Sequence, residues 1–291
     1  MEDANPKRTP VSPGTAFMKN KEEKHKCPYQ EAIGALTWAS VNCRPDITYG
    51  VAKLSKHNGN PSKTHWNAVK RIIAYLLSTK EKGLWYEKPE KKMGLMEVLR
   101  TASLRICCDS DYAGEIEGRA STTGFLIYLN NHLIDWGSYT QPVVAQSTCE
   151  AEYIAANRGA KRGRYLRKVL NEIMAIATFG RNYMEHLVKI KPEKDQSTLF
   201  VKENFKNQIL QDLKIKDTVK VDNASAVKVA STGNFQQRLK HIEVRFYYLA
   251  QEIEKRRLNI EHIPGVSNPS DLLTKSVKTA TFLRLINKLV S

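Results

Sequence analysis

The stretch Leu104-Arg105-Ile106-Cys107-Cys108-Asp109-Ser110-Asp111-Tyr112-Ala113-Gly114 decides the fold. Leu104 to Cys108 is a short apolar run, and a polar turn with a glycine follows it at once. A run of this length bounded by turn residues reads as a buried strand. Asp109 then sits where the strand leaves the sheet, within reach of a metal or a substrate. By itself Asp109 reads equally as a turn residue, and Asp111, two positions on, is a second choice for the same site.

Outward from this strand the pattern continues as mixed α/β. Thr123 to Leu129 and Leu133 to Trp136 read as strands joined by Asn130-Asn131, a hairpin signal. Val143 to Ser147 reads as a further extended piece. A long helix is predicted from Glu150 to about Ala177, with Tyr153, Leu166, Val169, Leu170 and Ile173 on an apolar side. Its basic side carries Arg158, Lys161, Arg162, Arg164, Arg167 and Lys168. Strands follow at Thr218 to Val221 and Leu258 to Ile263, with helices at Ala224 to Ala230, Leu239 to Arg257, Pro269 to Thr274 and Thr279 to Val290. Strands interleaved with helices give one mixed sheet flanked by helices over residues 102–291. Residues 178–217 show no regular pattern and read as an insertion without an assigned role.

Residues 28–88 are expected to be helical. Ile47, Val51 and Leu54 share one face after Pro45, and Trp66, Val69, Ile72, Ile73, Leu76 and Leu77 recur at helical spacing between Pro61 and Ser78. Residues 1–27 read as a loose leader and 89–101 as a linker. The chain has 291 residues, 41% of them hydrophobic, and a formal charge of +16. That balance supports a packed core and points to a polyanionic partner, nucleic acid first. The charge is uneven, because residues 101–176 are balanced and the flanks are basic. The five cysteines, Cys27, Cys43, Cys107, Cys108 and Cys149, form no Cys-x-x-Cys pair, which argues against a structural zinc site and a disulfide scaffold. The start lacks an apolar signal segment and no run is long enough to span a membrane. An intracellular protein, cytoplasmic or nuclear and not secreted, with no membrane partner, is the expectation.

Four acids stand at element boundaries: Asp109, Glu152, Asp222 and Asp271. Glu150 and Glu152 are two apart and do not share a helix face; one can aim at a common centre while the other complements the helix dipole. Asp222 ends a strand, where it or Asn223 could instead cap the next helix. Asp271 lies three residues after Asn268, with Pro269 at the first helical position, as in a capping box. Each acid has a structural reading. Brought together, the four offer the oxygen ligands that hard divalent cations need.

Several segments resemble the ribonuclease H domain of copia-type retrotransposon polyproteins. They are Cys108-Asp109-Ser110-Asp111-Tyr112-Ala113-Gly114, Arg119-Ala120-Ser121-Thr122-Thr123-Gly124-Phe125 and Ser147-Thr148-Cys149-Glu150-Ala151-Glu152-Tyr153. Asp222-Asn223-Ala224-Ser225-Ala226, Leu239-Lys240-His241-Ile242-Glu243 and Ser270-Asp271-Leu272-Leu273-Thr274-Lys275 follow in the same order. Ala35-Leu36-Thr37-Trp38 and Cys43-Arg44-Pro45-Asp46-Ile47 resemble the helical thumb and connection segment that precedes that domain. The resemblance implies a ribonuclease H-like fold that cuts the RNA strand of RNA–DNA hybrids. It also implies that Asp109, Glu152, Asp222 and Asp271 are the catalytic, metal-binding acids. The cofactor would be two Mg²⁺ ions, replaceable by Mn²⁺, one lowering the pKa of the attacking water and the other stabilising the departing oxygen. Ser121, Thr122, Ser147, Lys240, His241 and Arg245 would contact the nucleic acid. The chain contains no Tyr-x-Asp-Asp, so polymerisation is not expected of it, and a reverse transcriptase palm or another Pol product would be a partner. The alternative is a nucleic-acid-binding remnant that is catalytically silent.

Overall fold

The strand pattern sets the centre of the molecule. In this computed structural model, which describes residues 5–87, 94–179, 217–232 and 247–290, β1 (Leu104–Asp111) pairs antiparallel with β2 (Thr122–Leu129). β2 pairs antiparallel with β3 (His132–Thr140), and the turn between them has φ of 48° at Asn130 and 72° at Asn131. Two consecutive left-handed residues are what a tight primed turn needs, and asparagine tolerates them. On its other side β1 pairs in parallel with β4 (Asp217–Val221), and β4 with β5 (Leu258–His262). The order β3-β2-β1-β4-β5 is that of a mixed sheet with the ribonuclease H-like arrangement.

Both faces of the sheet are covered, and alternation along the strands assigns each residue to a face. Leu104, Ile106 and Cys108 of β1, with Phe125 and Ile127 of β2, face α5 (Thr148–Phe179), α6 (Ala224–Thr232) and α7 (Tyr247–Glu254). Cys107, Leu126 and Tyr128 point the other way. They join a core built from α1 (Tyr29–Asn42), α2 (Thr48–Ser55), α3 (Lys63–Ser78) and α8 (Thr279–Ile286). Of the apolar stripes expected in residues 28–88, Ile47, Val51, Leu54, Val69 and Ile72 are buried in this core, Trp66, Ile73 and Leu76 pack partly against it, and Leu77 is exposed. Tyr75 meets the edge of Phe282 at 5.9 Å between ring centres. Trp136 Nε1 donates to the Ser40 carbonyl at 2.8 Å.

α5 approaches β1 closely because glycine lies beneath it. A Cβ at Gly159 would come within 2.4 Å of Cys108 Sγ. At the far end of the same helix, Arg167 and Asp217 form a buried ion pair. Arg167 Nε donates to Asp217 Oδ2 at 2.9 Å, its other nitrogen donates to the Ala102 carbonyl, and Asp217 Oδ1 accepts from the Leu104 amide.

Four local expectations differ from the structure. Val143 to Ser147 is a loop outside the sheet, and residues 95–101, expected as linker, form the helix α4 (Leu95–Thr101). Pro269–Leu273 is a 3₁₀ rather than an α-helix. Thr9 and Val11 of the expected loose leader are buried, and Arg71 donates to Thr9 Oγ1 at 2.9 Å. Of the helix expected from Leu239 to Arg257, Tyr247–Glu254 is described and helical, and the rest up to residue 246 lies outside the described residues. The insertion expected at 178–217 falls outside them almost entirely.

Candidate metal centre

Strand register brings the first two acids together. The parallel ladder pairs Cys107 of β1 with Lys220 of β4. Two residues on, this sets Asp109 beside Asp222 at the same end of the sheet. The third acid comes from α5. Glu152 lies two helical turns before Gly159, so the face that presses on β1 also carries its carboxylate. The Ser110 amide donates to Glu152 Oε1 at 3.2 Å and holds it over the strand end. Carboxylate oxygens of Asp109, Glu152 and Asp222 all lie within 4.8 Å of one another, a grouping able to hold a metal ion.

Asp271 reaches the same place by another route. The 3₁₀ turn that carries it lies over β2 at Gly124, where a Cβ would meet Leu273, Thr274 and the Ser270 carbonyl at 3.0 Å or less. Gly124 is the register partner of Asp109. Asn268 caps the turn and donates through Nδ2 to the Cys108 carbonyl at 2.9 Å, and Thr274 Oγ1 donates to Asp109 Oδ2. Asp271 therefore stands beside Asp109 but outside the three-acid group. Lys275, one turn further on, lies 2.9 Å from Asp271 Oδ1 and 3.6 Å from Asp109 Oδ2.

The electrostatics are those of carboxylates crowded out of water. Burial, then the charges of Asp109 and Asp222, push Glu152 up to about 9. Burial, then Asp109, raise Asp271 to about 7 despite the opposing pull of Lys275. Burial and the charge of Asp109 also raise Asp222, against Lys275 and a hydrogen bond from Asn268. Burial works against the Lys275 ammonium, but Asp109 and Asp271 outweigh it and raise its pKa. A divalent cation would reverse these penalties. Glu152 is 6% exposed, and its Oε2 is buried without a hydrogen-bond partner among the described residues. A buried carboxylate oxygen without a donor is costly unless it is protonated or bound to a cation. With an all-oxygen ligand set, this orphan atom fits a hard divalent ion.

Glu150 takes the other role open to it, accepting from the Gln146 amide at 2.8 Å at the start of α5. Ser147 caps the same helix, its Oγ accepting from the Glu150 amide at 3.1 Å. Ser121 and Thr122 are buried, with their hydroxyls engaged inside the protein. Ser121 Oγ accepts from the Ala113 amide and Thr122 Oγ1 from Lys53 Nζ at 2.8 Å. Lys240, His241 and Arg245 lie outside the described residues. Sequence reasoning missed Lys53, Asn268, Thr274 and Lys275. Asn268 left the signal of a helix cap before Asp271, and Lys275 its spacing of four from Asp271, which places the two side chains together on a turn.

A cleft of about 590 Å³ runs between the end of β3 and α5. Thr140, Gln141 and Pro142 line its near end, and Arg158, Lys161, Arg162 and Tyr165 line its wall. Gln141 Nε2 ties this end to the site, donating to the Ala151 carbonyl at 2.9 Å and to Thr123 Oγ1 at 3.0 Å. The Arg158 guanidinium lies 3.7 Å over the Tyr139 ring.

No family model matches the chain. Curated proteins do. The retrovirus-related Pol polyprotein from transposon TNT 1-94 of Nicotiana tabacum is 31% identical over 290 residues, 97% of this chain and 18% of that protein. The corresponding polyprotein from transposon RE2 of Arabidopsis thaliana is 24% identical over 291 residues, 99% of this chain and 17% of that protein. Secreted RxLR effector protein 161 of Plasmopara viticola is 37% identical over 139 residues, 48% of this chain and 91% of that protein. The chain thus spans under a fifth of the length of the Pol polyproteins it matches. No helix among the described residues is long and apolar enough to cross a membrane.

Proposed function

This chain belongs to the copia-type retrotransposon Pol polyproteins, and from that premise we propose that its carboxylate cluster is the site of a metal-dependent ribonuclease H acting on RNA–DNA hybrids. One observation carries the reading: Asp109, Glu152 and Asp222, from three different elements, bring carboxylate oxygens within 4.8 Å of one another, and Glu152 keeps a buried Oε2 without a donor among the described residues. Such a convergence costs stability in the metal-free chain, and bound metal accounts for it.

Asp109, Glu152 and Asp222 would hold the cation, with Asp271 completing the set next to Asp109. Mg²⁺, or Mn²⁺ in its place, supplies the charge that activates a water and neutralises the leaving oxygen in phosphodiester hydrolysis. The protein supplies position. The Ser110 amide orients Glu152, Thr274 fixes Asp109, and Asn268 braces Asp222 and the end of β1. Burial keeps bulk water from screening the cluster. The exposed cations along α5 would track the sugar–phosphate strand, contacts that give affinity without reading sequence. Nucleic acid, and other Pol segments such as a reverse transcriptase palm, are the partners this reading names.

The test is cleavage of an RNA strand labelled at its 5′ end, paired to DNA, with Mg²⁺ and with a chelator. The parent chain is expected to cut only with the metal, and Asp222→Asn to bind the hybrid while losing cleavage by at least a hundredfold. Cleavage by the variant at the parental rate, or none by the parent at any Mg²⁺ or Mn²⁺ concentration, would refute the proposal.

A further inference from the structure

Lys275 is the one cation that touches the acid cluster among the described residues, and it does so at a particular place. Its Nζ lies between Asp271 Oδ1 and Asp109 Oδ2, at 2.9 and 3.6 Å. Thr274, its neighbour, donates to the same Asp109 Oδ2. The grouping of Asp109, Glu152 and Asp222 is therefore complete without Asp271, and the Asp109–Asp271 side is bridged by an ammonium group. Glu152, a member of the first of these two groups, carries the buried Oε2 that has no hydrogen-bond partner among the described residues.

Resting on the metal reading above, we propose that Lys275 is a positioning residue that holds the second cation position, so that the two divalent ions bind in order and unequally. The first ion enters at Asp109, Glu152 and Asp222, where carboxylates are already gathered. The second enters between Asp109 and Asp271 only as the ammonium withdraws. An ammonium and a divalent ion a few Å apart repel, so the two cannot share one carboxylate pair. The Lys275 side chain is built to leave. It is 40% exposed, long and flexible, and held at its tip by the hydrogen-bonded ion pair with Asp271 and the charge of Asp109. Once displaced toward solvent, it remains near enough to meet a substrate phosphate. The arrangement keeps the buried carboxylates neutralised before substrate arrives and ties completion of the site to an event that draws the lysine away.

The experiment is a Mn²⁺ titration of the full chain, read by the electron paramagnetic resonance signal of free Mn²⁺, with no substrate present. The parent is expected to bind one ion tightly and a second at least tenfold more weakly. Lys275→Met is expected to tighten the second site tenfold or more and leave the first within about twofold. Lys275→Gln should do the same, and circular dichroism identifies either variant that fails to fold. A lysine serving only as a structural ion pair would alter stability without changing the ratio of the two affinities. An unchanged or weakened second site in both folded variants, or in the one that folds, overturns the inference and leaves the metal reading intact. Two equal sites in the parent overturn it as well. A parent that binds no Mn²⁺ removes the metal reading and this inference with it.

Discussion

Replacing Glu152 by glutamine should stabilise the metal-free chain, because the fold holds this carboxyl in its neutral form. Burial and the charges of Asp109 and Asp222 raise it from 4.5 to about 9. The direction of the pH effect follows from that shift. A carboxyl whose pKa is higher in the folded state binds its proton more tightly there, so its contribution favours folding at low pH and is lost as pH rises from about 4.5 to about 9. At pH 7 the unfolded chain ionises Glu152 while the folded chain keeps the proton. At ~1.36 kcal/mol per pH unit, the gap above 4.5 amounts to about 3 kcal/mol. Glutamine has the same shape, can still accept from the Ser110 amide, and carries no proton to release. Urea unfolding in a chelator, followed by circular dichroism, should show the variant ahead by under about 1 kcal/mol at pH 5 and by about 3 kcal/mol at pH 7. Adding Mg²⁺ should then raise the parent more than the variant, since the cation rewards the ionised acid. A difference that does not change with pH, or a variant less stable at every pH, would refute the reasoning.

The same geometry predicts further outcomes. Gly159→Ala places a Cβ against Cys108 Sγ beneath α5 and should cost about 1–3 kcal/mol in urea unfolding, despite the better helix propensity of alanine. Arg167→Met leaves Asp217 buried without its partner and should cost about 3–5 kcal/mol at pH 7 by the same assay. Replacing Arg158 and Lys161 by glutamate should weaken hybrid binding. It should also flatten its dependence on salt by about 1–2 in the slope of log K against log salt, measured by fluorescence anisotropy.

The central strands were legible because their signals are local. The apolar run Leu104 to Cys108 marks β1, although the strand continues through the polar Asp109 to Asp111, and the Asn130-Asn131 pair names the hairpin that the positive φ angles confirm. Asp109 and Asp222 were legible as partners because Asp109 lies late in β1 and Asp222 directly after β4, and parallel strands deliver such residues to one end of a sheet. The rest depended on contacts distant in the chain. The stripe on α3 announces burial but not its partner, which proves to be the sheet face shared with Phe282. Ser121 and Thr122 were expected to contact nucleic acid. They are buried because Lys53, from a helix some seventy residues earlier, covers Thr122 and because the loop after Asp111 folds back onto Ser121. No local pattern around Gly159 says that a strand presses against it. Glu150 and Glu152 were separable by helix geometry in principle, but only the packing of α5 on β1 decides which of them meets Asp109.

The most direct test is a crystal of the chain soaked in Mn²⁺ and measured at a wavelength where manganese scatters anomalously. An anomalous peak enclosed by the carboxylates of Asp109, Glu152 and Asp222 is the predicted result. Ordered carboxylates with no peak between them at millimolar Mn²⁺, or manganese bound only elsewhere, would contradict the account.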